Sequence, residues 1–245
     1  MAKASPADQL LLLDLQALDS KIVKIDRAVK VLASDPEIIA AGETVAEAEA
    51  ARREVAEESA AAQHALTDIE HQTEKVQTRI EKDRAQIEAG RGTARDMMAL
   101  QHEIDSLTLK RGELETTELE LMETAEEVAG GLEGVTASAD GTAAQLAQLE
   151  RARDEKAAEL AAERATLVTE RTELAGRIDS TLVGMYEKRL AQRGIGAARL
   201  FHGTSEGSGM QLAAGDLAEI RAAAEDDVVS CPDSGVILVR SPEWK

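Results

Sequence analysis

The sequence predicts a mainly α fold: a long antiparallel coiled-coil helical hairpin followed by a small α+β module. Apolar residues recur at alternating steps of three and four from about residue 8 to residue 186, with a glycine-rich interruption at residues 90–93. This spacing gives a supercoiled helix one continuous apolar stripe. The chain beyond residue 193 loses the spacing and is richer in glycine and β-branched residues. We therefore predict a hairpin over residues 1–193 and a second domain over residues 194–245.

The first arm of the predicted hairpin begins at Ser5-Pro6, because serine caps exposed helix amides and proline fits the first helical turn. Seven apolar residues follow at spacings of 4, 3, 4, 3, 4 and 3, namely Leu11, Leu15, Leu18, Ile22, Ile25, Val29 and Leu32. Pro36 then interrupts the pattern, since a proline inside a helix removes a backbone hydrogen bond. We expect a kink near residues 34–37, after which the apolar seam resumes and reaches Ile87.

The turn predicted at residues 90–93 lies between two arms of similar length. This arrangement favours an intramolecular hairpin over a dimer of straight rods. The second arm continues the apolar seam from Met97 to Met185, but it contains four glycines, namely Gly130, Gly131, Gly134 and Gly141. Each glycine destabilises a helix by about 1 kcal/mol relative to alanine. We therefore expect a bend or local fraying near residues 130–141.

The C-terminal module is predicted to hold one short helix at residues 214–223 and two strands, at residues 228–229 and 236–239. The strands are joined by a turn at residues 231–235, which contains proline, aspartate and glycine. A module of this size usually needs a metal, disulfides or a docking surface to stay folded. A single cysteine, Cys231, excludes an internal disulfide.

Composition narrows the range of functions. The formal net charge of −19 opposes non-specific binding to nucleic-acid phosphates and to anionic membranes. No apolar run approaches the length of about 20 residues that spans a membrane, and the N-terminus lacks the pattern of a secretory signal. One cysteine fits a reducing compartment. We expect a cytoplasmic protein that does not bind membranes.

Four segments resemble one known family: residues 15–19 (Leu-Gln-Ala-Leu-Asp), 90–104, 114–127 and 186–240. They are similar to bacterial C4-type zinc-ribbon proteins with an N-terminal coiled-coil hairpin. Within the second segment, Arg95-Asp96 occupies the place of the family's Lys-Glu and is followed by Ala-Leu-Gln-His-Glu-Ile. The last segment ends in Gly-Val-Ile-Leu-Val-Arg, which is similar to the family's closing strand. The resemblance implies a hairpin with a zinc ribbon after it.

The family's ribbon holds zinc with two Cys-x-x-Cys turns, because four thiolates suit tetrahedral zinc. The corresponding positions in this chain are Ser205, Ser208, Cys231 and Ser234. Three of the four thiols are therefore missing, and a serine hydroxyl does not ionise near neutral pH. We expect zinc, the cofactor that the resemblance implies, to be lost, leaving a metal-free degenerate ribbon docked on the stalk near Met185 and Tyr186.

Two basic clusters are candidate contact sites in this acidic chain. The first, at the hairpin turn, is a possible protein contact and comprises Arg91, Arg95, Met97 and Met98. The methionines supply adaptable apolar surface, although packing inside the hairpin end is the alternative. The second, between stalk and ribbon, is a possible nucleic-acid contact and comprises Lys188, Arg189, Arg193 and Arg199. Cations that complement a helix C-terminus are the alternative there, and residues 197–245 contain four Lys/Arg against eight Asp/Glu.

No motif predicts an enzyme. The sequence shows no phosphate-binding glycine loop, and its helical histidines and carboxylates lie in patterns typical of solvated faces. The leading hypothesis is a non-enzymatic interaction protein, that is, a scaffold, adaptor or chaperone-like binder of protein partners. The resemblance implies partners among transcription or export components. The alternatives are a nucleic-acid-binding protein that uses the stalk–ribbon junction and the ribbon, and a self-associating rod; the chain is expected to be a monomer or a homodimer.

Overall fold

A computed structural model gives the structure of the protein and describes residues 2–241 and residue 244. The elements of this part of the chain are α1 Pro6–Ala33, α2 Pro36–Glu88, α3 Ala94–Ala175, α4 Ser180–Arg193, β1 Ala197–Phe201, β2 Thr204–Ser205, β3 Met210–Gln211, α5 Ala214–Ala222, β4 Val229–Ser230 and β5 Ile237–Arg240. The predicted fold class is confirmed as a mainly helical chain with a long helical hairpin and a small module that contains strands.

The chain divides into two compact units. The hairpin unit comprises Pro36–Arg151, and the terminal unit comprises Met1–Asp35 together with Ala152–Lys245. The domain boundary predicted at residues 193/194 stays a prediction, although α4 ends at Arg193 and β1 begins at Ala197. Among the described residues, no helix combines the length and the apolar character needed to cross a membrane.

The hairpin unit pairs α2 with the first part of α3. Its buried apolar residues among those described all occupy seam positions of the two helices: Ile69, Ile80, Ile104, Leu114 and Ala139. Polar contacts between the helices flank this seam. The guanidinium of Arg79 donates to Glu103 at 2.8 Å, and that of Arg111 donates to the side-chain oxygen of Gln77 at 2.7 Å.

The turn of the hairpin unit fits its sequence. Gly90 and Gly92 have φ of 66° and 122°, which favour glycine. Thr93 and Asp96 then cap the start of α3 reciprocally, since Asp96 Oδ2 accepts from the Thr93 amide at 2.8 Å and Thr93 Oγ1 accepts from the Asp96 amide at 3.3 Å. The hydrogen bond from the Thr93 amide holds the pKa of Asp96 below its ordinary value.

Helix α3 continues without interruption through its four central glycines, so the expected fraying near residues 130–141 is wrong. The reason is that the inward side of this segment keeps its apolar seam, with Val128, Leu132 and Val135 half-buried and Ala139 buried. Packing of such a seam supplies most of the stability of a long helix and outweighs local propensity. The glycines themselves face open space.

The substitution Gly131→Ala should therefore stabilise the protein. An added Cβ at Gly131 meets no atom within 4 Å, so only the helix propensity changes. We expect the free energy of unfolding in urea to rise by about 1 kcal/mol. Gly196→Ala is the opposite control, because a Cβ there would overlap with the Tyr186 ring. A loss of stability in Gly131→Ala would contradict a regular helix at this point.

In the terminal unit, α1 lies antiparallel to the end of α3. Asp26 pairs with Arg164 at 2.7 Å and Asp19 with Arg171 at 2.8 Å, so a step of 26 − 19 = 7 residues on α1 matches 171 − 164 = 7 on α3. One heptad separates the two pairs, as expected for a coiled coil. Between the two ion pairs, Ile22, Ile25 and Leu167 are buried together.

The helical pattern breaks at residues 176–179, where the sequence predicted a continuous helix to residue 186. Asp179 caps α4, and its carboxylate accepts from the amides of Thr181 and Leu182 at 2.9 and 3.1 Å. The apolar spacing hides this break because Leu174, Ile178 and Leu182 keep their helical register through the turn while facing the same core.

The five strands form one sheet in the order β3-β2-β1-β5-β4. Strand β1 pairs with β5 in parallel, and the other pairs are antiparallel. The sequence predicted β4 and β5 approximately but missed β1, β2 and β3. Helix α5 agrees with the predicted helix to within one residue.

Strand β5 is buried on both faces. Ile237 and Val239 pack in a core with residues of α1 and α4, such as Leu12 and Leu182. On the other face, Leu238 packs in a second core that includes Leu200, Leu212, Ile220 and Cys231. Alternate residues of a strand point to opposite faces, so a single apolar run serves both cores. This double burial holds the sheet against the helices of the terminal unit.

Candidate functional site

Two tight turns of the terminal unit share the same backbone geometry, at residues 205–209 and 231–235. In the first, the Ser205 carbonyl accepts from the Gly209 amide at 2.8 Å; in the second, the Cys231 carbonyl accepts from the Gly235 amide at 2.8 Å. Both glycines have φ of 71°. Ser205 and Cys231 thus occupy equivalent first positions, and both are buried. We call residues 205–209 and 231–235 the paired turns.

The side chains of the paired turns converge on the thiol of Cys231. Its Sγ lies 3.5 Å from the donating Ser234 amide. Burial raises the pKa of the Cys231 thiol, but the polar groups of Ser234, Asp233 and Ser205 beside it outweigh burial and hold the pKa below its ordinary value. The hydroxyls of Ser205 and Ser234 are buried and have no hydrogen-bond partner at ordinary geometry among the described residues.

This donor set does not fit zinc. Structural zinc takes four thiolate or imidazole ligands, whereas the four equivalent positions carry one thiol and three hydroxyls. Among the described residues, no group of three or more His, Cys, Asp or Glu side chains is arranged to hold a metal ion. The observed contacts of the paired turns are hydrogen bonds, such as those from the Gly209 and Gly235 amides to the Ser205 and Cys231 carbonyls. The loss of zinc stays a prediction.

A polar cluster centred on the buried Asp19 and Tyr186 joins α1, α3 and α4 of the terminal unit. Asp19 accepts from the Tyr186 hydroxyl at 2.6 Å and from Arg171 Nε at 2.8 Å. Arg171 also pairs with Glu187 at 2.6 Å. One turn earlier on α1, the side-chain oxygen of Gln16 accepts from the Gly196 amide at 2.7 Å. We call these five side chains, Gln16, Asp19, Arg171, Tyr186 and Glu187, the polar clasp.

The polar clasp explains why residues 15–19 form a recognisable motif. Gln16 and Asp19 face the start of β1 and α4, while the neighbouring Leu15 is fully buried in the apolar core. Gly196 is required at the start of β1 because any Cβ would overlap with the Tyr186 ring. The sequence marked the motif, but the partners lie more than 150 residues away along the chain and only the fold brings them together.

Tyr186 provides a direct probe of the polar clasp, because it is the single tyrosine of the chain. Burial, and then the hydrogen bond to Asp19, raise its pKa above the ordinary value of about 10. A raised pKa favours the protonated phenol in the folded state. Its contribution to stability is therefore complete below about pH 10 and is lost as the pH rises further.

We expect tyrosinate absorbance at 295 nm to appear only together with the loss of helical circular dichroism on alkaline titration. The Asp19→Asn variant should ionise Tyr186 at lower pH, and Tyr186→Phe should show no 295 nm transition. A tyrosinate midpoint near pH 10 with an unchanged helical signal would contradict a buried, hydrogen-bonded phenol.

The predicted nucleic-acid cluster is not a set of four exposed cations. Lys188 and Arg193 are exposed. Arg189 instead donates to the Gly235 carbonyl at 2.9 Å and to Ser230 at 3.0 Å, so it braces the turn between β4 and β5. Arg199 pairs with Glu206 at 2.6 Å and lies 4.8 Å from the Phe201 ring centroid. Internal contacts thus hold two of the four candidates, and nucleic-acid binding stays a prediction.

The predicted cluster at the hairpin turn is exposed for the most part. Arg91 and Arg95 are exposed, Met97 is half-buried and 65% of Met98 is exposed. Met97 faces the seam, which agrees with the alternative that it packs inside the hairpin end. Its role in partner binding stays a prediction.

Sequence reasoning missed an exposed apolar face on α3 of the hairpin unit. Its members are Met98, Leu109, Leu119 and Met122, which are 65%, 74%, 62% and 41% exposed. At 3.5 residues per turn, Met98 and Leu119 lie on one line, and Leu109 and Met122 lie about 50° to either side of it. We call these four residues the α3 outer face. The available signal was that Leu109, Leu119 and Met122 lie off the apolar seam that runs through Ile104, Leu114 and Leu121.

Comparison with known proteins matches residues 15–194 to the CT398-like coiled coil hairpin domain family. An uncharacterized protein of Mycobacterium tuberculosis strain H37Rv is 33% identical over 241 residues, which cover 97% of each chain. A solved structure from Mycobacterium smegmatis is 32% identical, with a TM-score of 0.70, and covers 98% of this chain and 100% of that one.

The fold is also shared with a more distant structure. CT398 from Chlamydia trachomatis is 19% identical with a TM-score of 0.64, covering 96% of this chain and 98% of that one. The matched family is a coiled-coil domain, and its description indicates no enzymatic activity. The segment matched to the family contains the hairpin unit and all five residues of the polar clasp. The relatives match nearly the whole chain. The chain therefore belongs to the CT398-like coiled coil hairpin domain family.

Proposed function

We propose that the protein is a non-enzymatic interaction protein whose hairpin unit binds protein partners as a scaffold, adaptor or chaperone-like binder. The observation that carries the proposal is the α3 outer face, where large apolar side chains remain exposed on a regular helix. Within this face Leu119 and Met122 are neighbours at i and i+3, and adjacent exposed apolar side chains are the kind of surface that marks interaction sites. Membership of a coiled-coil hairpin family supports the same function.

The paired turns support a non-enzymatic function in a different way. Their single thiol is 2% exposed and is surrounded by hydroxyls and backbone amides, with no histidine hydrogen-bonded to it among the described residues. A nucleophilic cysteine needs access to substrate and a base to activate it. We assign the paired turns a structural function, with hydrogen bonds in place of a metal.

Affinity purification of the full chain from its source bacterium, after chemical crosslinking, tests the proposal. Quantitative mass spectrometry should recover one or a few proteins in amounts comparable to the chain itself. A matched variant carries glutamine at Met98, Leu109, Leu119 and Met122. Because these residues are exposed, its thermal stability should be unchanged, and it should recover less of the partner than the wild type does. Recovery of the chain alone, with no partner in any condition, would overturn the interaction function.

A further inference from the structure

We propose that the α3 outer face binds a basic amphipathic helix supplied by a protein partner. This inference rests on the proposed function and narrows it to one surface and one class of ligand. It depends on two independent properties of residues 109–127, namely the pattern of their apolar side chains and the pattern of their charges.

The apolar side chains form a surface of helical length. Leu109 and Met122 are 122 − 109 = 13 residues apart, which corresponds to about 20 Å along the helix axis. Gly112 and Thr116 lie between Leu109 and Leu119 on this side of the helix, and both are exposed. An added Cβ at Gly112 meets no atom within 4 Å. The face is thus a shallow notch bordered by larger apolar residues, which lets another backbone approach closely.

The charges around this notch are predominantly negative, since residues 109–127 contain seven glutamates against two cations, Lys110 and Arg111. Residues 112–130 contain seven glutamates and no lysine or arginine, the glutamates being Glu113, Glu115, Glu118, Glu120, Glu123, Glu126 and Glu127. Glu113 pairs with Lys110 and Glu115 with Arg111. The other five form no ion pair within the described part of the chain. Six of the seven are exposed, and Glu118 is half-buried.

This charge selects among the possible occupants. A second copy of the chain would bring the same glutamates against each other, and like charges facing each other across an interface are strongly unfavourable. Nucleic acids and anionic lipid surfaces are repelled for the same reason. A partner that carries lysine or arginine beside an apolar stripe could pair with the glutamates and pack against the leucines.

The shape of the face favours a helix as the bound element. A helix presents apolar residues at i, i+3, i+4 and i+7, and such a stripe can cross α3 obliquely from Leu109 past Leu119 to Met122, over about 20 Å along the α3 axis. An added strand would need an exposed sheet edge, whereas residues 109–127 lie inside the continuous helix α3. Three to four turns of a basic amphipathic helix would cover the notch and its glutamate borders.

Binding of designed peptides to the full-length protein tests this inference by fluorescence anisotropy. The probe is a labelled peptide of about 18 residues made of leucine and lysine in an amphipathic helical pattern. One control peptide has the same composition in a scrambled order, and a second has glutamate in place of lysine. We expect the amphipathic lysine peptide to bind at least tenfold more tightly than either control, and its affinity to fall with salt.

Variants locate the binding. Leu109→Gln with Leu119→Gln should weaken binding at least tenfold, whereas Val31→Gln, at a position that is 69% exposed on α1, should leave it unchanged. Charge reversal by Glu123→Lys with Glu126→Lys, both exposed, should weaken binding of the lysine peptide and strengthen binding of the glutamate peptide. Circular dichroism would verify that each variant is folded.

The inference is overturned if the scrambled peptide binds as tightly as the amphipathic one, if the double glutamine variant binds normally, or if no peptide binds. Each of these results leaves the broader proposed function open to its own test. A cellular partner that is recovered equally with wild type and with the glutamine variant of the α3 outer face would preserve an interaction function while excluding this surface.

Discussion

Replacing Ser205, Ser208 and Ser234 by cysteine should convert the paired turns into a site that binds one zinc ion per chain. In both turns the amide of the last residue, a glycine, donates to the carbonyl of the first residue, and both glycines have the same positive φ. Ser234 already lies next to the Cys231 thiol, with its amide 3.5 Å from Sγ, and Ser205 is buried at the equivalent position of the other turn. Four thiols on two such turns would provide the tetrahedral set that zinc requires.

The expected gain is large, because structural zinc contributes on the order of 10 kcal/mol to small zinc-dependent folds. Elemental analysis of the variant purified under reducing conditions should give stoichiometric zinc, and the wild type should give none. Zinc should raise the thermal midpoint of the variant, and a chelator should reverse the increase.

A control for this experiment is the same variant with Cys231→Ser, which leaves three thiols and should bind zinc more weakly. Absence of stoichiometric zinc from a folded triple-cysteine variant would show that the first and fourth positions of the two turns do not converge on one point. Stoichiometric zinc in the wild type would contradict the metal-free structure proposed for the paired turns.

The apolar spacing predicted the hairpin well because a coiled-coil seam is a local property of the sequence. The same spacing failed at residues 176–179, where Ile178 stays in register although the helix has ended. Glycines led to the opposite error in α3, since propensity alone does not include the packing of Val128, Leu132 and Val135. Periodicity therefore identifies the buried side of a helix more reliably than it identifies where that helix ends.

The small strands and the polar clasp were beyond sequence reasoning for a different reason. Strands β2 and β3 contain two residues each; β2 exists through its pairing with β1, and β3 through its pairing with β2. Strand β1 in turn pairs with β5, about 40 residues later, in a parallel register that no local pattern records. Gln16 and Asp19 were visible as a motif, but their hydrogen-bond partners depend on the packing of α1 against α3 and α4.

The polar clasp should make Asp19 one of the most sensitive positions of the terminal unit. Its side chain is 10% exposed and accepts from both Tyr186 and Arg171. Replacing it with alanine removes the 2.6 Å acceptor of the buried Tyr186 hydroxyl and one of the two carboxylates that pair with Arg171, which then keeps only the exposed Glu187. Removing one member of a buried ion pair typically costs about 3–5 kcal/mol.

We expect Asp19→Ala to lower the free energy of unfolding by about this amount in urea denaturation. Asp26→Ala is a closely matched control, because Asp26 lies one heptad away on α1 and also pairs with an arginine of α3, Arg164. That pair is exposed on both sides, at 45% and 46%, so its loss should change stability little. Equal losses of unfolding free energy in the two variants would mean that burial of Asp19 adds nothing to the stability that its ion pair with α3 provides. A large loss confined to Asp19→Ala, accompanied by faster hydrogen exchange at the Gly196 amide, would show that the clasp holds β1 against the helices.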